Sequence, residues 1–193
     1  MATATKPDFD YVLGSTSAEH KRLNRQGRLI SKLTEHFLEQ TGLAPGMRVL
    51  DVGSGVGDVA LLAARAVGSS GQVVCVNTDA SALAVAKERA AGAGLGNIVF
   101  ETCDFYQYPM SVAFDAVIGR CVLLHQTEPV AALKAVLQHL RPGAIIAFQE
   151  PWFSQAFSYP KAPLFQKMIG WLHATVRASG LDGDIRSSPA IRV

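Results

Sequence analysis

The residues best suited to chemistry are packed into one short stretch: Asp51, then Gly53, Ser54, Gly55 and Gly57, then Asp58. Arg48–Val52 before it reads as a buried strand, and the apolar run Val59–Val67 after it reads as a helix. A strand passing through glycines into a helix is the place where an α/β protein binds a nucleotide-like ligand. The spacing argues against two such ligands. A dinucleotide site carries glycine at the first, third and sixth positions, and the sixth position counted from Gly53 is Asp58. Its charge would oppose a pyrophosphate at a helix N-terminus. The lysine followed by Ser or Thr that marks a nucleoside-triphosphate loop does not follow these glycines. Asp51, two residues before Gly53, is expected to set a carboxylate beside the ligand, which suits a cationic group. A ligand with an amino-acid tail, a ribose and an adenine meets these conditions better than NAD does.

The elements that must position this turn follow from hydrophobic spacing. Residues 1–16 form a polar lead-in. From Ser17 to about Thr41 the spacing of Leu23, Ile30, Leu33, Phe37 and Leu38 predicts helix, with Gly27 expected to divide it in two. Gly42, Pro45 and Gly46 break the pattern. Strands are then expected at Val49–Val52, Gln72–Val76, Ile98–Thr102, Phe114–Ile118 and Ala144–Phe148, with helices over about 57–67 and Ser81–Ala91. A further helix has Thr127 as its expected cap, Pro129 in its first turn and Val130, Leu133, Leu137 and Leu140 along one face. Arg141-Pro142-Gly143 is expected to end it. Five strands alternating with helices predict a doubly wound α/β fold, mostly parallel, with its ligand beyond the carboxyl ends of the strands. The chain divides into a helical lead-in or lid (1–45), an α/β core (46–150) and an aromatic, proline-rich segment with a last helix, Leu164–Ala178, expected to cap the ligand site and to be cut short (151–193).

Composition narrows the class. A chain of 193 residues, 49% apolar and 18% charged, suits one domain with a sizeable core. The formal charge of +2 and the lack of a basic run or an aromatic-spaced basic stripe predict no nucleic-acid partner. No apolar stretch approaches the roughly 18 residues of a membrane span, so no membrane partner is expected. Met1–Asp10 lacks an apolar signal core, which points to a soluble, cytoplasmic protein. Cys75, Cys103 and Cys121 match no metal-binding spacing and read as buried, reduced thiols.

The pattern Val49-Leu50-Asp51-Val52-Gly53-Ser54-Gly55-Val56-Gly57 resembles the first motif of class I S-adenosylmethionine-dependent methyltransferases, and the likeness continues over about residues 46–150. The resemblance implies a Rossmann-like sheet with N-terminal helices and S-adenosylmethionine as cofactor. It puts the turn of Gly53, Ser54, Gly55 and Gly57 against the amino-acid part of that cofactor, near Asp51. It puts Asn77 where the family usually has an acid for the ribose hydroxyls, with Thr78 beside it; either Asn77 or Asp79 is then the ribose partner, unless Asp79 caps the next helix. An amide carries no charge, so cofactor affinity is expected to be weaker than with a carboxylate. The resemblance gives Asp104 to the adenine amino group, with Cys103 and Phe105 flanking the ring, and places Arg120 at the cofactor edge. Tyr11-Val12-Leu13-Gly14 with Glu19, Arg22, Leu23 and Gln26 resembles the leader of a bacterial branch that methylates small molecules. There Tyr11, Arg22 or Gln26 either touches the cofactor or lies on ordinary helix surface.

Methyl transfer from a sulfonium is a direct displacement that mainly needs alignment and the exclusion of water. No catalytic residue is assigned. His125 and Glu150 are the candidate bases, and Trp152–Tyr159 either forms part of the acceptor pocket or packs under the last helix. The family's sheet usually continues with an antiparallel pair of strands, for which the sequence up to Val193 leaves no room, so those strands are expected to be missing. An unfinished sheet would expose apolar surface and favour a homodimer. The expected activity is methylation of a small molecule. A non-catalytic binding or scaffold protein is the alternative, and a nucleotide-dependent oxidoreductase is disfavoured by Asp51 and the missing sixth-position glycine.

Overall fold

The computed structural model describes residues 16–109 and 113–181. Tyr11, with the lead-in before Thr16, and the tail after Leu181 lie outside the described residues. Helix α1 (Ser17–Thr41) begins where the Thr16 hydroxyl accepts the Glu19 amide, and it stops at Gly42, whose φ of 82° lies in the left-handed region. A side-chain cap of this kind stabilises a helix by about 1 kcal/mol. Gly27 does not divide α1, which is continuous through it. Then follow β1 (Arg48–Val52), α2 (Asp58–Val67), β2 (Gln72–Asn77), α3 (Ala80–Gly92), β3 (Ile98–Thr102), β4 (Phe114–Arg120), α4 (Pro129–Leu137), β5 (Leu140–Gln149) and α5 (Pro163–Ala178).

Among the described residues the sheet has five strands in the order β3-β2-β1-β4-β5, and every pairing is parallel. The chain builds outward from β1 to β3, then crosses over to lay β4 on the other side of β1. The glycine turn therefore sits at the switch point, where parallel sheets hold their ligands. Alternation along the strands feeds two apolar layers. Val49, Val73, Cys75, Ala116 and Ile118 pack with α2 and with Leu38 of α1. Leu50, Val52, Val74, Val76 and Val117 pack with Phe105, Tyr108 and the α4 residues Ala132 and Val136. Both faces of the central strands are thus covered, which explains their nearly unbroken apolar sequences.

Three local expectations change. Glu128, not Thr127, precedes the first turn of α4, and no side chain caps it. Leu140 belongs to β5 rather than to α4. Arg141-Pro142-Gly143 does not simply end a helix: Phe114 pairs with Leu140 and Ala116 with Ile145, so the residues between them bulge from the strand. Gly143 supplies the positive φ, 78°, that this bulge needs. Arg141 returns across the bulge to Asp115 at 2.5 Å, and Asp115 also accepts the Arg48 amide at 2.6 Å. Asp115 is therefore tied into the sheet at the end away from the glycine turn.

Candidate functional site

A cavity of about 530 Å³ lies at the carboxyl ends of the strands. Small-molecule sites usually span roughly 300–1,000 Å³. Its floor follows the strands in order: Gly53 and Gly55 after β1, Asn77 and Thr78 at the end of β2, Cys103, Asp104 and Phe105 after β3, and Arg120 at the end of β4. Helix α1 adds Glu19, His20, Arg22, Leu23 and Gln26. Helix α5 adds Leu172, Thr175 and Val176. The sequence does not single out His20, because nothing local indicates that its side chain turns to the strand ends.

Gly53 combines a φ of 62° with close approach, since a Cβ there would lie 3.0 Å from a Val122 methyl. Any side chain would both strain the turn and push Val122 into the cavity wall. Asp51, Ser54 and Gly57 do not line the cavity. Gly57 leads into α2 and packs on Ala86 of α3. Ser54 is buried, and its amide donates to the Val76 carbonyl at 3.2 Å. Asp51 pairs in register with Cys75 and Ile118, both of the layer under α2. It lies beneath the turn rather than beside a ligand. Both carboxyl oxygens are buried, with the Ala60 amide as a weak backbone partner. Burial pushes this acid up to about 8, with Arg120 pulling it part of the way back. At neutral pH Asp51 is therefore mostly a neutral acid and not the counter-charge its position before the glycines suggests.

Asp58 is fully engaged instead. Its two oxygens receive Arg89 of α3 at 2.7 Å and Arg120 of β4 at 2.8 Å. Arg120 also donates to the Thr34 hydroxyl of α1 at 3.1 Å, and Thr34 donates to Gln149 of β5 at 2.8 Å. Arg89 holds the Val56 carbonyl as well, at 2.5 Å. The guanidinium of Arg120 thus faces protein groups, and the cluster joins α1, α2, α3, β4 and β5 under the cavity. A second contact joins α1 to the end of β2. One Asp79 oxygen caps α3 through the amides of Ser81 and Ala82, and the other faces His20 Nε2 at 3.2 Å. On the cavity side of α1, Arg22 grips both oxygens of Glu19 at 2.6 Å and reaches Gln26 at 2.9 Å.

Asp104 accepts the Tyr106 amide at 3.1 Å and so opens the short turn Phe105–Gln107. Phe105 and Tyr106 stack with centroids 4.5 Å apart. Burial raises the Cys103 thiol above its ordinary pKa. Past β4, Cys121 takes a φ of 55°, the one positive value at a non-glycine among the described residues. Burial pushes its thiol up to about 11. Glu150 holds the turn that follows: it accepts the amides of Val122 at 2.8 Å, Leu123 at 2.9 Å and Leu124 at 3.4 Å. Its carboxyl is spent on these contacts rather than aimed at a substrate. His125 lines the cavity, and burial lowers its pKa to about 4, so its imidazole is neutral at pH 7. Pro151 and Phe153 also reach the cavity, whereas Phe157 and Tyr159 are 80% and 96% exposed.

This sheet order, with a glycine turn at the switch point, is that of a Rossmann-like α/β fold, and the family match and solved neighbours make it a class I S-adenosylmethionine-dependent methyltransferase fold. The chain matches the methyltransferase-domain family over residues 43–178 and belongs to it. It is 36% identical over 128 residues to the ubiquinone/menaquinone biosynthesis C-methyltransferase UbiE of Cellvibrio japonicus, an overlap of 63% of this chain and 51% of that protein. The chain thus spans about half the length of that curated relative. Among solved structures, a SAM-dependent methyltransferase from Aquifex aeolicus superposes with a TM-score of 0.65 over 86% of this chain and 88% of that one, at 21% identity. The [4+2]-cyclase SpnF is 34% identical, with a TM-score of 0.52 over 60% of this chain and 43% of its own.

Proposed function

We propose that this chain binds S-adenosylmethionine in the cavity at the strand ends and methylates a small molecule. The observation that carries the reading is the order of groups along the floor: glycine backbone, then Asn77 and Thr78, then Cys103, Asp104 and Phe105. That order suits the three parts of the cofactor. The unhindered backbone at Gly53 and Gly55 suits its amino-acid end. Asn77 offers both an acceptor and a donor to ribose hydroxyls. Asp104 offers an oxygen to an exocyclic amine, and Phe105 offers a ring to the adenine. When bound, the cofactor supplies a methyl group on a cationic sulfur.

The chain's own residues align and enclose. Arg120 acts at one remove, because Asp58 and Thr34 hold its guanidinium. Asp51, Ser54 and Gly57 support the turn from below. Leu124, Phe153, Leu172 and Val176 give the rest of the cavity an apolar lining, with His125, Gln126, Thr127, Thr175 and Ser179 among its polar groups. No side chain is assigned as catalyst; His125 lies in this lining, and burial keeps its imidazole neutral at pH 7. Transfer to a carbon atom of the acceptor is supported by the name of the Cellvibrio relative. A cytoplasmic location is supported by the free thiols of Cys75, Cys103 and Cys121. Because SpnF shares this fold and is a cyclase, binding and turnover need separate measurement. Methyl-labelled S-adenosylmethionine, incubated with the chain and a panel of phenolic, quinol and amine acceptors, should pass label to at least one of them. Tight cofactor binding without transfer across a broad panel would contradict the catalytic half of the proposal.

A further inference from the structure

Two segments that wall the cavity differ in charge from the rest of the chain. Residues 20–34 of α1 hold Lys21, Arg22, Arg25, Arg28 and Lys32 and no acid. Residues 151–181, which include α5, hold Lys161, Lys167 and Arg177 and no acid. All 16 acidic residues fall elsewhere, against the ten basic residues that remain. The sequence conceals this because the basic residues are spaced by helical turns instead of forming a run.

Each helix also turns apolar side chains outward. On α1, Lys21, Arg25, Arg28 and Lys32 recur at three- and four-residue steps along one face, and only the last turns of that face, at Glu35 and Glu39, turn acidic. Leu29 and Leu33 adjoin that stripe, 79% and 61% exposed. On α5, Leu164, Met168 and Trp171 share a face and are 74%, 49% and 60% exposed. The Lys167 ammonium sits 5.0 Å from the Trp171 ring centroid. Phe157 and Tyr159 extend the apolar display just before α5. A basic stripe beside protruding Leu, Met and Trp is what an interfacial helix offers a lipid surface. The apolar tips enter the acyl boundary, and the long basic chains reach anionic headgroups. A nucleic acid would match the basic residues but leave the exposed leucines without a partner.

We propose that the outer faces of α1 and α5 dock the protein on an anionic phospholipid bilayer. The inner faces of the same helices wall the cavity, so docking holds that cavity at the membrane surface. This departs from the expectation of no membrane partner. Among the described residues no helix is long and apolar enough to cross a membrane, so the association is peripheral.

Co-sedimentation of the full chain with vesicles tests this. Binding should be strong to phosphatidylcholine mixed with phosphatidylglycerol, weak to phosphatidylcholine alone, and reduced by salt. Arg25→Gln with Arg28→Gln should lower partitioning roughly thirtyfold. Leu29→Ser with Leu33→Ser, and Trp171→Ser separately, should each lower it severalfold. None of these side chains lines the cavity, and all are exposed, so unchanged circular dichroism is expected for every variant. Equal binding to neutral and anionic vesicles, or none to either, would overturn the proposal. So would loss with the arginine pair but not the leucine pair together with tighter binding to transfer RNA, which would assign the face to nucleic acid. Concentration-dependent dimerisation abolished by Leu29→Ser with Leu33→Ser would assign it to a second copy.

Discussion

Gly27 of α1 lies so close to the Asp58 carboxylate that a Cβ added there would be 2.0 Å from Oδ2. The carboxylate cannot easily yield, because Arg89 and Arg120 hold its two oxygens. The glycine that looks like a helix break is the point where a helix seats on a buried ionic cluster. Gly27→Ala should therefore lift α1 and loosen its side of the cavity. Overpacking of this kind costs about 1–3 kcal/mol, and alanine returns roughly 1 kcal/mol of helix propensity. The net expectation is a lower urea midpoint with weaker binding of S-adenosylhomocysteine. An alanine variant as stable and as tight as the parent would show that α1 is not seated this way.

In the proposed reading Asn77, which lines the cavity at the end of β2, meets the ribose hydroxyls without a charge. Asn77→Asp should tighten S-adenosylhomocysteine binding about three- to tenfold, since a charged acceptor makes a stronger bond to a hydroxyl. Isothermal calorimetry reads this directly. Unchanged or weaker binding would place the ribose elsewhere along the floor.

Glu150 was a candidate base, yet its oxygens accept three amides of the turn after Cys121. Glu150→Gln keeps an acceptor for these amides and should retain most of the methyl transfer. Glu150→Ala strands them and should cost about 1–3 kcal/mol of stability along with most of the activity. A glutamine variant that is folded and inactive would restore the base role.

Asp51 makes stability depend on pH. Burial lifts its folded-state pKa to about 8, above the ordinary value of 3.8, so across that interval the native state keeps a proton that the unfolded state releases. This contribution is full below pH 4 and is lost as pH rises towards 8. Asp51→Asn removes it. Melting curves at pH 5, 6.5 and 8 should show the variant losing less stability with rising pH than the parent. Parallel losses would mean that Asp51 ionises normally.

What the sequence made legible was local. Strand positions, the glycine turn and the polar stations after β2 and β3 each follow from a few adjacent residues. The positions that escaped depend on where distant segments meet. That Asp51 sits under α2 follows only from its register with Cys75. Arg120 lines the cavity as its place after β4 suggests, but its pairing with Asp58, 62 residues earlier in the chain, is not legible locally. Arg141-Pro142-Gly143 carries strong turn residues, and only pairing with β4 reveals a bulge inside a strand. Gly27 shows its purpose only when α2 is laid against α1.

Calorimetric titration of S-adenosylhomocysteine into the chain tests the central claim most directly. One site per chain is expected, weakened at least tenfold by Asp104→Ala, while the surface variant Trp171→Ser binds as the parent does. A folded protein that takes up no ligand at millimolar concentration, or one whose binding ignores Asp104, would contradict it.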